Sequence, residues 1–190
     1  MIYFFRRHFQ REGLSILLAS LLAAVTAILQ NAPVYLILLL LTFGVFLCVF
    51  ISQQSWEEKS ETRLDKLDDR FAGLSSARVA AALHLLGKKE DKGAVEDVID
   101  FFEDVGFHLK NYRLEQNEVY HRFAHYIQIY YESAYDRIIE RLTAEGDTWE
   151  HLPYLYTAIL KVKAKRVPSI PQKLPSDKLK EFLEIEANLL

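Results

Sequence analysis

Apolar and polar positions divide the chain into two unlike parts. No charged residue occurs between residues 13 and 51, and this stretch holds two apolar runs, 14–29 and 34–51, parted by Gln30-Asn31-Ala32-Pro33. At 1.5 Å rise per residue, helices over these runs reach roughly 24 and 27 Å, a little less than a hydrocarbon core. Local thinning or snorkelling flanks cover such a shortfall. Four connecting residues join antiparallel neighbours, and Pro33 suits the first turn of a helix. The pattern predicts a transmembrane helical hairpin preceded by an arm over residues 1–13. A cleaved leader fits less well, because the second run follows at once and Pro33 after Ala32 is a poor cleavage context.

After residue 51 the period changes. Leu64, Leu67 and Phe71 make a narrow stripe on a juxtamembrane helix over 52–74, a seam on which two copies could pair. A helical domain is expected over 75–166. Its first helix, 77–86, takes Ser75 or Ser76 as cap and ends at Gly87. A second runs from 94 to about Gly106, with Val95, Val98, Ile99, Phe102 and Val105 inward. Residues 107–114 read as irregular. From about 115 to 143 the pattern is helical again, either as one long helix or as two with a break near Ser133. Asp147-Thr148-Trp149-Glu150 opens the next helix as a capping box, and that helix ends near Arg166. Pro168, Pro171 and Pro175 mark a linker, and Ser176 caps a last helix over 177–189. Sustained period-two alternation is absent. The fold class expected is all-α: a transmembrane hairpin followed by a cytoplasmic helical bundle.

Charge orients the hairpin. Arg6, Arg7 and Arg11 precede it, its connection carries none, and Lys59, Arg63, Lys66 and Arg70 follow. The positive-inside rule then places both termini in the cytoplasm of a multi-pass inner-membrane protein, with Trp56 and the arm's aromatics at the interface. The chain's net charge is -3; Arg6, Arg7 and Arg11 against Glu12 leave the polar part at -5. That acidity argues against a general nucleic-acid surface. The one cysteine, Cys48, rules out an intrachain disulfide. Neither apolar run holds an Asp, Glu, His, Lys or Arg, the groups that a proton relay or a voltage sensor normally needs. Ser15, Ala19, Ala23 and Ala27 form a small-residue stripe where another helix can approach, in the same chain or in a second copy.

One stretch resembles a known family. Arg78-Val79-Ala80-Ala81-Ala82-Leu83 opens a small apolar helix, and a charged turn follows. Then come Val98-Ile99-Asp100-Phe101-Phe102-Glu103-Asp104-Val105-Gly106, an aromatic helix from Val119 through Tyr131, Arg137, and a closing segment from Trp149 to Leu155. Over about residues 70–166 this is similar to the bacterial family catalogued as domain of unknown function 4760. The resemblance implies a helical domain tethered to the membrane by N-terminal helices. It implies no catalytic residue, because the family has no established activity.

Candidate chemistry is sparse. Glu118, His121 and His125 share a helix face, yet Arg122 stands where a zinc-protease motif has glutamate, so no metal site is expected. Arg78 and His84, five residues apart in between, match the loose Arg-x4-6-His pattern of HEPN ribonucleases, in which imidazole moves a proton and guanidinium holds phosphate. Glu103 reads as a cap or an ion-pair partner of Arg78 or Arg137, and Gly106 as a left-handed helix end. Lys161, Lys163, Lys165 and Arg166 suit a helix C-terminus. Phosphate loops, paired-cysteine motifs and nucleophile elbows are missing.

The leading expectation is therefore non-enzymatic, with no cofactor: a membrane-anchored helical module that binds a cytoplasmic protein partner and self-associates. Two alternatives come from other classes. One is an oligomeric membrane-pore or membrane-disrupting effector in bacterial defence. The other is a membrane-tethered HEPN-like ribonuclease using Arg78 and His84.

Overall fold

The computed structural model of the chain describes residues 12–29, 33–144, 148–168 and 173–189. Within these, every regular element is an α-helix: α1 (Glu12–Leu29), α2 (Val34–Gly73), α3 (Ser75–Leu85), α4 (Lys92–Lys110), α5 (Gln116–Ser133), α6 (Tyr135–Ala144), α7 (Leu152–Arg166) and α8 (Ser176–Glu186). The all-helical expectation holds. The chain divides into two compact units, Met1–Ser60 and Glu61–Leu190.

In the first unit, α1 meets the start of α2 through small side chains. A Cβ added to Gly44 would run into the Ser20 side chain. Ala24 and Cys48, four residues further along each helix, are also buried. Small residues four apart let two backbones approach closely. Most large apolar side chains here face outward, among them Leu18, Leu22, Leu39, Phe43 and Phe46. Among the described residues, one helix is long and apolar enough to cross a membrane, α2, and only 11% of its apolar stretch is buried within the protein. That low burial sets α2 apart from the core helix of a soluble domain.

The stripe that packs is not the one expected. Ala19 and Ala23 are exposed, whereas Ser20 and Ala24 turn toward α2. One residue rotates a helical position by about 100°, enough to move a stripe off the contact. The side chains of Ser15 and Ala27 lie outside the described residues, as do Arg6, Arg7 and Arg11. Trp56 is half-buried.

In the second unit, the end of α2 is part of the core. Leu64, Leu67 and Phe71 are buried. The Phe71 ring lies 5.0 Å from Phe101, 5.6 Å from Phe102 and 4.8 Å from Tyr126. The stripe expected to pair between copies is thus used within the chain. Outside it, Arg122 of α5 binds Asp65 at 2.8 Å and also Asp68, tying α5 to the polar flank of α2.

Several boundaries moved for local reasons. α3 starts at Ser75 after Leu74, without a side-chain cap from Ser75 or Ser76. Gly87 ends it in the left-handed region at φ +70°, where a Cβ is unfavourable. Asp91 caps α4, accepting from the Ala94 amide at 3.2 Å. α4 passes through Gly106 without a break and stops four residues later. Of the two readings of residues 115–143, two helices are found, with α5 ending at Ser133 and α6 starting at Tyr135. α7 begins at Leu152, after the proposed capping box; Trp149 takes φ +62° and Asp147 lies outside the described residues. Residues 173–189 are no appendage, since Leu183 and Glu186 of α8 are buried against the bundle.

Candidate functional site

Two sets of polar side chains organise the second unit, and both begin from residues the sequence singled out. The first is the Phe101–Gly106 motif on α4. Phe101 and Phe102 are fully buried, and Phe101 packs on Phe123 at 5.6 Å. Next in sequence, the Glu103 carboxylate accepts from the His151 amide at 2.9 Å and the Leu152 amide at 2.7 Å. Its Oε1 also meets Nδ1 of His151 at 2.6 Å. Glu103 therefore caps α7 from another helix, supplying acceptors for amides a helix start leaves open. Negative charge there also suits the helix dipole.

Gly106 belongs to the same device. A Cβ on it would lie 2.6 Å from the His151 carbonyl oxygen. The glycine is there because α7 starts against α4, and its backbone is ordinary helix. The reading of Gly106 as a helix end is corrected accordingly, and so is the pairing of Glu103 with Arg78 or Arg137. Trp149 adds a further tie, donating Nε1–H to Asp100 at 2.5 Å.

The second set is centred on Arg78. Its guanidinium binds Glu186 of α8 through two bonds, Nε to Oε2 at 3.0 Å and Nη2 to Oε1 at 2.6 Å. The pair is nearly dry, with side-chain exposures of 10% and 3%. Arg78 also stacks over Phe71 at 4.4 Å and Tyr126 at 4.9 Å. The Tyr130 hydroxyl donates toward Glu186 Oε2 and the Arg78 carbonyl, each at 3.3 Å. Burial, with the Glu186 charge beside it, pushes the Tyr130 phenol well above its ordinary range. Arg78 thus spends its bidentate donors inside the chain, and the ribonuclease reading would need them on phosphate.

His84 is elsewhere employed. Its Nδ1 accepts from the Asp91 amide at 3.1 Å and lies 3.2 Å from the Lys89 carbonyl, so it braces the turn between α3 and α4. It also borders a cleft of about 500 Å³ shared with Lys92, Ser133, Asp136, Arg137 and Glu140. Both signs of charge line that cleft. Arg137 and Arg141 converge on Glu96, Arg141 at 2.8 Å, and hold its carboxyl below the ordinary range.

His121 is exposed, His125 is partly covered, and the two are separately engaged. Nε2 of His121 takes a hydrogen bond from Arg166 at 2.8 Å. His125 sits edge-on to Phe182 of α8 at 4.6 Å, and burial lowers its pKa. Among the described residues no group of three or more His, Cys, Asp or Glu side chains could hold a metal ion.

Two hubs were not read from the sequence. Glu132 accepts from Gln128 at 2.8 Å, Tyr156 at 2.8 Å and the Leu174 amide at 2.9 Å, so it fixes the chain just before α8. Glu186 is the other. Its signal was present, because it follows Leu179 and Leu183 on the apolar face of the last helix, where a carboxylate calls for a partner.

Compared with family models, with curated proteins and with solved structures, the chain matches none.

Proposed function

We propose that this protein is a membrane-anchored helical module that acts by binding other proteins, its own copies included, and not by catalysis. The observation that carries the anchor is the apolar stretch of α2, only 11% of which is buried within the protein. Water does not tolerate a contiguous apolar face of that length on a folded chain, and hydrocarbon does. The proposal extends to α1. Its apolar side chains Leu18, Leu21, Leu22 and Val25 are also exposed, and its contact at Gly44 makes the two helices neighbours. α1 and the start of α2 then form a hairpin in the inner membrane. The arginines of the arm and Lys59, Arg63, Lys66 and Arg70 keep both termini on the cytoplasmic side.

Self-association is supported by Ala19 and Ala23, which α2 leaves uncovered and which offer a close-approach face to a second copy. The non-enzymatic reading is supported by where the candidate groups are spent. Arg78 is paired with Glu186, Glu103 caps α7, and His121 meets Arg166. Kinship with the family of domain of unknown function 4760 is part of this proposal. It rests on the Phe101–Gly106 motif and its flanking helices. Light scattering of the full-length protein in mild detergent tests the central point. The reading expects a particle of two or more chains; a strictly monomeric particle at high concentration opposes it.

A further inference from the structure

We infer that a face of the second unit built from Arg63, Phe107, Tyr112, Arg113 and Tyr154 docks on anionic headgroups of the membrane that holds the chain. The inference rests on the anchored reading above. It starts from the direction of α4. Phe101 packs on Phe71, Asp104 pairs with Arg70, and the Arg113 carbonyl accepts from Arg63 at 3.4 Å. These contacts descend along α2 as they ascend along α4, so the two run antiparallel. The turn after α4 therefore stands at the end of the unit where the unit begins, with Glu61. Only ten residues part Glu61 from Ile51, the last of the apolar run, which is roughly 15 Å of helix.

Tyr112 follows the C-cap of α4 at φ +54°, a position that favours glycine because a Cβ there crowds the backbone. Its side chain is 57% exposed, so burial in the core does not explain a tyrosine there. Tyr154 is exposed nearby, close enough for the two phenols to interact electrostatically. Phe107 is exposed as well, and Arg113 stacks over its ring at 5.3 Å. Among the described residues neither Arg63 nor Arg113 has a carboxylate partner. Asp104 and Glu150 border the face, each held by its own base, Arg70 and Lys110. Exposed tyrosines beside arginines suit a membrane–water boundary, where rings rest among headgroups and guanidinium binds phosphate. The cytoplasmic leaflet is negatively charged, and its pull extends over a Debye length of roughly 8 Å. The nearest glutamates do not oppose that pull, because Glu57, Glu58 and Glu61 centre on the side of α2 away from Arg63 and Lys66, at about 100° per residue. Tethering favours the bilayer over an acidic protein segment as the occupant, since ten residues keep the bilayer always within reach.

The test uses the full-length chain in lipid nanodiscs, with Cys48→Ala removing the native thiol. Asn117→Cys, on the exposed first turn of α5 beside this face, carries a fluorophore. The discs are phosphatidylcholine alone or phosphatidylcholine with phosphatidylglycerol, each with a trace of headgroup-spin-labelled lipid as quencher. Docking predicts quenching at least about threefold stronger in the anionic discs. Arg63→Gln with Arg113→Gln should abolish the difference, and Arg63→Lys with Arg113→Lys should keep most of it, which separates lost charge from lost fold. Tyr112→Gly should melt no lower than the parent, because glycine suits that φ, and should still weaken the quenching. Weak quenching in both kinds of disc overturns the inference, as does quenching that survives the loss of both arginines. Unquenched discs whose fluorescence responds to added polyglutamate would assign the face to an acidic protein segment and overturn it too. Co-elution of chain and lipid separates the two claims: a chain in the disc but unquenched rejects the docking alone, and a chain that does not enter the disc rejects the anchor with it.

Discussion

The Nε and Nη2 atoms of Arg78 reach Glu186 at 3.0 and 2.6 Å across 108 residues of sequence, in a setting where the glutamate side chain is 3% exposed. An arginine so placed is secure only while its partner is present. Glu186→Gln should destabilise the protein by about 3–5 kcal/mol, the range for a stranded buried charge. The double variant Arg78→Met with Glu186→Leu should recover most of that loss, since two apolar side chains need no partner. Urea unfolding followed by near-ultraviolet circular dichroism measures both. Equal losses in the single and double variants would contradict the assignment.

The Glu103 cap makes a second prediction. Glu103→Ala removes the acceptors at the start of α7 and should cost about 1–2 kcal/mol. Hydrogen exchange should accelerate first at the His151 and Leu152 amides, which donate to that carboxylate. Gly106→Ala should also destabilise, by about 1–3 kcal/mol, because the added methyl meets the His151 carbonyl. A neutral or stabilising Gly106→Ala would mean that α7 does not start against α4.

Much of this fold was legible because its core is periodic. The run from Val95 to Val105 and the stripe of Leu64, Leu67 and Phe71 announce helices with one buried face each. What the pattern could not give is the partner of each face. Leu64, Leu67 and Phe71 read equally well as a seam between copies and as core, and only packing on Phe101, Phe102 and Tyr126 decides between them. Gly106 shows the same ambiguity at one residue. A glycine after an apolar run serves as a helix stop or as a place of close approach, and the choice is made by His151, 45 positions away in the sequence. Glu103 and Glu186 were readable as carboxylates in need of donors, but the donors come from α7 and α3.

Acid should weaken the second unit. Burial, reinforced by the Arg113 charge, lowers the pKa of His108 from 6.5, and burial lowers that of His125. Both imidazoles stay neutral in the fold at a pH where the unfolded chain takes up protons. Their contribution is therefore complete above about pH 6.5 and is lost as pH falls below it. Thermal midpoints measured between about pH 7 and pH 5 should decline, and the decline should be shallower in a His108→Asn, His125→Gln double variant. A double variant as steep as the parent would assign the acid sensitivity elsewhere.

The contact of Ser20 with Gly44 predicts a position-specific effect in the first unit. Gly44→Leu should separate α1 from α2 and lower the thermal midpoint in detergent, whereas Ala23→Leu should leave that contact unchanged because Ala23 is exposed. Pairing Gly44→Ala with Ser20→Gly should restore part of the loss from Gly44→Ala alone, since the methyl then faces a gap. A Gly44→Leu protein as stable as the parent would contradict this packing.

The central claim, that hydrocarbon solvates α1 and the first half of α2, is tested most directly by fractionating cells that express the full-length chain and washing the membranes with alkaline carbonate. The account predicts that the intact chain stays with the membranes through the wash and leaves them only in detergent. Recovery of the intact chain in the soluble fraction, without detergent and without a bound partner, would contradict it.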